Sequence, residues 1–263
     1  MHPFYGIDGI ERPEKPREYG ITMVADWGIG PNLQADLLQT GADFFDFAKI
    51  AVGLSRVLSS GLLRGKLVLY HAHDIAAFPG GQFLEHAGVH KQEDQYLEAA
   101  ATAGYQWIEV SDNLATLGLD WKARTIHKAI TSYGLNVLGE VGKKEGLSRD
   151  VRMIEDAQSC IEAGARIVLI EAAEIVHPSA GLEAELDEVI DGVGLKKIMF
   201  ELPGPWIQGV TQSTIHEMSR DLIARYGPNV NLANVDPGQL LPLEAYRQGL
   251  GVNAGGGWSE DSP

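Results

Sequence analysis

The sequence predicts a single-domain α/β fold, a (β/α)8 TIM barrel. Three observations carry that reading. Eight short apolar runs of β-forming residues alternate with helical stretches over roughly 210 residues. Several of those runs follow a glycine-bearing helix stop. The 263 residues contain no linker or low-complexity block between their ends, and one barrel accounts for that length.

Taken in order, residues 1–18 are rich in proline and charge and read as an arm. The barrel is expected over 19–250. Its strands are "GITMVAD" (20–26), "FFDFAKI" (44–50), "IAAFPG" (75–80), "YQWIEVS" (105–111), "LNVLGEV" (135–141), "RIVLIEA" (166–172), "KKIMFEL" (196–202) and "NVNLANV" (229–235). "TGAD", "AGYQ", "YGLN", "AGAR", "VGLKK" and "YGPN" precede strands, and a glycine just past a helix end is the usual left-handed cap. "KLVLYHAH" has strand-like composition; reading it as helix keeps "IAAFPG" as the third strand and the count at eight. Residues 251–263 form a glycine-rich, acidic tail, in which Trp258 is a candidate lid residue. A doubly wound open sheet would call for a G-x-G-x-x-G turn after an early strand, and "DWGIGPN" lacks that spacing.

Composition narrows the function. The hydrophobic fraction of 44% suits a globular core, and 36 acids against 21 bases leave a net charge of −15. Such a surface repels nucleic acid and anionic membranes, so neither is an expected partner. The single cysteine, Cys160, has no partner for an internal disulfide and reads as a buried helix residue. No run approaches the roughly 20 apolar residues of a membrane span, and the first residues hold no signal-peptide core. The expectation is a soluble, cytoplasmic protein. The eight histidines show no H-E-x-x-H spacing, and His71 and His73 lie two apart in an expected helix, so a histidine zinc site is not expected.

Barrels of this kind gather their chemistry where the strands reach their C-terminal ends. Charged or amide residues recur there. Asp26 and Trp27 follow the first strand, Lys49 ends the second, and Gly80 and Gly81 follow the third. Glu109, Ser111 and Asp112 end the fourth; Glu140, Lys143 and Lys144 end the fifth. Glu171 and Glu174 end the sixth, Glu201 the seventh, and Asn231 and Asn234 the eighth. Structural roles stand beside these. Asp26, Asp112 and Glu174 suit helix caps, Asp46 suits an ion pair with a lysine in the barrel wall, and Gly80 and Gly81 suit a turn. Three carboxylates around one mouth, Glu140, Glu171 and Glu201, repel one another unless cations intervene. Mg2+ favours a few carboxylates with water and substrate oxygens, so this is the cofactor the set suits. Lys49, Lys143 and Lys144 supply further positive charge. A lysine so placed gives or takes a proton at carbon, next to the carboxylate or carbonyl of a small molecule.

At these residues the chain resembles the phosphosulfolactate synthase family, which includes archaeal coenzyme M biosynthesis enzymes and bacterial and plant relatives. "GITMVADWG", "GADFFDFAKI", "FPGGQFLEHA", "IEVSDN", "LGEVGKK", "AGARIVLIEAAE", "IMFELP" and "VNLANV" carry the resemblance from about residue 18 to residue 250. It implies a barrel lyase that depends on Mg2+, adds sulfite to the methylene carbon of phosphoenolpyruvate and forms a homo-oligomer. It also implies that Lys144 protonates the adjacent carbon and that Lys49 holds the anionic substrate. With these, Lys143 and Asp26 complete the expected catalytic set. Gly80, Gly81, Ser111, Asp112, Glu174, Asn231, Asn234 and Trp27 are the expected substrate contacts.

Departures from the family pattern bear on the substrate. Trp27 stands where the family has a lysine, Ala173 and Gly251 where it has arginines, and Asn253 where it has an aspartate. Charge-assisted bonds of the kind lost are worth roughly 1.5–3 kcal/mol each. Two alternatives therefore accompany the family reaction. One is a barrel enzyme for a less anionic, non-phosphorylated substrate, with Trp27, Val52, Ala173 and Ile175 lining its pocket. The other is a non-catalytic relative of the plant heat-stress type, against which the retained lysines and glutamates argue.

Overall fold

The computed structural model describes residues 9–252, together with Phe4 and Ile7. Eight strands run through it: β1 (Thr22–Asp26), β2 (Phe47–Ile50), β3 (Ala76–Pro79), β4 (Trp107–Val110), β5 (Asn136–Val141), β6 (Ile167–Ile170), β7 (Ile198–Glu201) and β8 (Asn231–Val235). Their order is β3-β2-β1-β8-β7-β6-β5-β4, and every pairing is parallel. The end strands β3 and β4 face each other across a seam without a hydrogen-bonded ladder, so the barrel is nearly closed.

Helices follow the strands on the outside. They are α1 (Pro31–Gly41), α2 (Leu54–Val57), α3 (Ser60–His71), α4 (Gln82–Val89), α5 (Glu93–Ala103) and α6 (Leu119–Tyr133). The second half adds α7 (Met153–Glu162), α8 (Ala172–Val176), α9 (Leu182–Val193), α10 (Gln212–Tyr226) and α11 (Leu240–Arg247). All eight expected strands are present, and "KLVLYHAH" falls in and just after α3. Gly104 and Gly134 are left-handed caps. Gly41 is not: its φ is −136°, and a Cβ there would come within 2.7 Å of the Leu240 side chain, so close packing selects it.

Strand side chains alternate between two cores, because the strand period is two. One set, including Val24, Ile50, Val110, Val168 and Phe200, meets the helices. The other, including Met23, Phe47, Phe78, Leu138, Leu169 and Met199, fills the barrel. There Phe47 packs edge-on against Phe78 and Trp107, with ring centroids 6.0 and 5.0 Å apart. Truncating such a ring costs about 3–5 kcal/mol.

The N-terminal arm ties on at the opposite end from the site. Arg12 donates to Glu244 and to the carbonyls of Gly20 and Pro228. Asp46 pairs with Arg17 of this arm at 3.0 Å, not with a lysine of the wall. Among the described residues no helix is long and apolar enough to cross a membrane.

Candidate active site

The inward series that fills the barrel changes character one step before the mouth. Phe47 is followed two residues later by Lys49, Trp107 by Glu109, Leu138 by Glu140, Leu169 by Glu171 and Met199 by Glu201. Five strands thus raise one charged side chain each above an apolar floor. Lys144 reaches the same place from the turn after β5. That turn depends on Gly142, whose φ is +105° and whose added Cβ would come within 2.8 Å of the Glu171 side chain.

Lys49 Nζ lies 2.8 Å from Glu109 Oε2 and 2.9 Å from Glu201 Oε1. Lys144 Nζ pairs with Glu171 Oε2 and lies 3.7 Å from Glu140 Oε1. All four glutamates are buried. Burial disfavours the ammonium of Lys49, but Glu109, Glu201 and Glu140 outweigh it and raise its pKa. Lys144 is raised in the same way by Glu140, Glu201 and Glu171. Burial also opposes charge on Glu140, yet Lys144 and Lys49 hold it at about 2. Glu171 goes the other way. Burial, with repulsion from Glu201 and Glu140, lifts it to about 8 despite Lys144. Burial likewise pushes Glu109 and Glu201 upward. Two ammonium groups among four carboxylates leave this cluster short of positive charge.

Carboxylate oxygens of Glu109, Glu140 and Glu201 lie within 4.8 Å of one another. This trio differs from the expected one. Glu171 gives its oxygens to Lys144, Asn113 Nδ2 and the N–H of Ala173, where it caps α8, so Glu109 takes its place in the cluster. Glu140 Oε1 is buried and has no hydrogen-bond donor, as a vacant ligand atom would be.

The pocket above this cluster has a volume of about 130 Å³. Trp27, Gly80, Gly81, Asn234, Lys49 and Lys144 line it, with the three clustered glutamates. Space explains both glycines. A Cβ on Gly81 would meet Ser111 Oγ at 2.5 Å and Glu109 Oε1 at 2.8 Å, and the Gly81 N–H donates to that Glu109 oxygen at 2.7 Å. A Cβ on Gly80 would come within 3.1 Å of the Val52 nitrogen. Val52 itself holds φ +46°, a strained conformation for a β-branched residue. Asn234 holds φ +58° where the β1–β8 register shifts, and this bulge carries it to the mouth.

Other expected residues stand elsewhere, for reasons of phase or partner. Asp26 is on the outward face of β1, where it binds Lys66 at 2.7 Å, Tyr70 Oη at 2.8 Å and the N–H groups of Gly28 and Ile29. Lys143 turns away to Asp112 Oδ1 at 2.6 Å and Ala115 O at 3.3 Å. Asp112 also receives the Gly118 N–H. Ser111 donates to Glu85, which orders the loop after β4 by accepting from Asn113, Leu114 and Ala115 N–H. Glu174 accepts the Lys143 N–H and pairs with Arg149. Asn231 opens β8 rather than ending it, and stitches Ile21 N to Ile198 O at the far end of the barrel. Of the proposed apolar lining, Val52 is at the pocket. Ala173 packs on Ile207, and Ile175 on the helix-side core. Asn253 and Trp258 lie outside the described residues.

Fold and mouth together define a (β/α)8 protein with lysines and buried glutamates at the C-terminal strand ends. The chain belongs to the (2R)-phospho-3-sulfolactate synthase (ComA) family, whose model matches residues 10–253. It is 31% identical over 254 residues to the phosphosulfolactate synthase of Methanothermobacter thermautotrophicus, covering 91% of this chain and 92% of the relative. To the Bacillus subtilis phosphosulfolactate synthase it is 29% identical over 91% and 93% of the two chains. To Protein HEAT-STRESS-ASSOCIATED 32 of Arabidopsis thaliana it is 27% identical over 90% and 88%. Among solved structures, 3-hexulose-6-phosphate synthase from Salmonella typhimurium aligns with a TM-score of 0.56 at 11% identity, covering 87% of this chain and 98% of that one. At that identity the likeness concerns the barrel alone.

Proposed function

We propose that the protein is a lyase that adds a nucleophile to an enol-type carboxylate, with sulfite and phosphoenolpyruvate as the family's pair. The observation that carries this reading is the position of Lys49 and Lys144 within the ring of Glu109, Glu140, Glu171 and Glu201. In the addition, the sulfite sulfur forms a bond to the methylene carbon. The π electrons move toward the substrate carboxylate, and a proton then goes to the carbon that bears the phosphate. Lys144, kept protonated by its glutamates, is the donor. Lys49 faces the substrate anion.

Glu109, Glu140 and Glu201 are three hard oxygen donors of the kind Mg2+ takes, and the bare Glu140 oxygen fits such an ion. When bound, the ion would supply positive charge opposite an enediolate-like carboxylate.

A second reading is favoured by the cations. Among the described residues lining the charged pocket, Lys49 and Lys144 are the cations, and both are already paired. That favours a substrate without phosphate, on the same proton-transfer machinery. Phosphorus NMR of the protein with phosphoenolpyruvate, sulfite and Mg2+ decides. A phosphosulfolactate signal that needs both protein and sulfite supports the family reaction. A folded, metal-loaded protein that leaves phosphoenolpyruvate untouched rejects it in favour of the second reading.

A further inference from the structure

A second cavity, of about 900 Å³, lies beside the charged pocket between α10, α11 and the end of β8. Trp27, Trp206 and Asn234 line both spaces, and the two indoles form their partition with ring centroids 5.0 Å apart. Neither sulfite nor phosphoenolpyruvate has an apolar body to fill such a volume, which falls within the usual range of small-molecule sites. One face of α10 supplies Ile215, His216, Ser219 and Arg220, at helical spacing. α11 answers with Leu243 and Tyr246, and the His216 and Tyr246 rings meet edge-on at 6.0 Å.

Two polar groups on this wall, Ser219 and Asp236, are already bonded within the chain. Ser219 donates its hydroxyl to Ile215 O at 2.8 Å. Asp236 accepts the Gly238 N–H at 2.8 Å. Arg220 lines the cavity, its Nε is buried without a hydrogen-bond partner, and among the described residues it makes no ion pair. A guanidinium in the wall of an apolar slot, without a carboxylate partner among the described residues, is matched by a carboxylate or sulfonate carried on an apolar body.

We propose that this cavity is a binding site for an amphipathic organic anion, whose acid group pairs with Arg220 and whose aryl or branched alkyl body lies against Trp206, Ile215, Leu243 and Tyr246. The site goes beyond the reaction proposed above and is tested without turnover. The probe is 8-anilinonaphthalene-1-sulfonate, titrated calorimetrically into the full chain. One saturable site per chain is expected. Arg220→Gln weakens it about tenfold or more, as the loss of a charge-assisted pair requires. Ala245→Trp, which fills the slot from α11, removes it. N-phenyl-1-naphthylamine, the same body without the sulfonate, binds wild type and Arg220→Gln alike. Thermal melts establish that both variants are folded, and Arg220→Gln alone decides if the tryptophan variant is not. Absence of a saturable site in the wild type, or an unchanged affinity in folded Arg220→Gln, overturns the proposal. Product formation from sulfite and phosphoenolpyruvate without dye binding would remove this site and leave the reaction standing; dye binding without product would do the reverse.

Discussion

Lys144 follows Glu140 by four residues, and the intervening turn returns its ammonium to 3.7 Å from Glu140 Oε1 while the same nitrogen closes on Glu171. The strand's last carboxylate is thereby joined to the proton donor expected of the site. Lys144→Ala should lower product formation about 10²–10⁴-fold, the usual worth of a positioned acid, with an unchanged circular dichroism spectrum. Wild-type turnover in that variant would take Lys144 out of the chemistry.

Metal binding distinguishes Glu109 from Glu171. Mg2+ should raise the melting temperature of the wild type, because a ligand that binds only the folded state stabilises it, and EDTA should reverse the gain. Glu109→Gln and Glu140→Gln should lose the shift. Glu171→Gln should keep it, since Glu171 serves Lys144 and the α8 N-terminus. The opposite pattern in a thermal-shift series would restore Glu171 as the ligand.

Lys49 neutralises two buried acids at once. Lys49→Met leaves Glu109 and Glu201 facing each other without it, and breaking a buried pair in this way costs about 3–5 kcal/mol. Urea denaturation should show that loss, with part of it recovered in Mg2+. A stability change under about 1 kcal/mol, the net worth of a single hydrogen bond, would mean that the carboxylates hold protons instead of charge.

Cys160 is buried beside Lys122 and Asp156, and burial pushes its thiol up to about 12 despite the lysine. The native thiol should ignore a thiol reagent at pH 8 and react once the chain is unfolded. The pKa is raised in the folded state, so the stability tied to this group is whole below the ordinary thiol range and is lost as pH rises toward 12. A Cys160→Ala chain should show a shallower alkaline loss of stability than the wild type. Rapid native labelling would contradict the burial.

Arg12 anchors the arm from a nearly sealed position, its side chain 5% exposed against Glu244. Arg12→Ala should destabilise the barrel by about 3 kcal/mol, by leaving Glu244 buried without its charge partner. A denaturant midpoint equal to wild type would make the arm dispensable.

The barrel was legible because glycine stops and apolar runs repeat with one period. The site was legible in part. Residue 49 is two beyond Phe47 and residue 109 two beyond Trp107, and the same step gives 140, 171 and 201. That parity also separates Asp26, which shares a face with Val24 and therefore meets the helices. Asn231 could have been assigned to the far end by counting back along its strand. Lys143 and Lys144 could not be told apart in this way, because they follow a glycine turn whose direction depends on Glu174 and Asp112, distant in sequence. Glu85 and Arg220 are on helices, where a strand-end rule has no reach.

The seam between β3 and β4 gives Glu109 a second meaning. Where a ladder would have run, this carboxylate takes the N–H of Gly81 from across the gap while its other oxygen faces Lys49. The residue that binds the mouth's charge is thus also a rivet in the wall. Neutralising the cluster and fastening the cylinder are then one thermodynamic event, and amide exchange at the edges of these two strands should slow as the pocket fills.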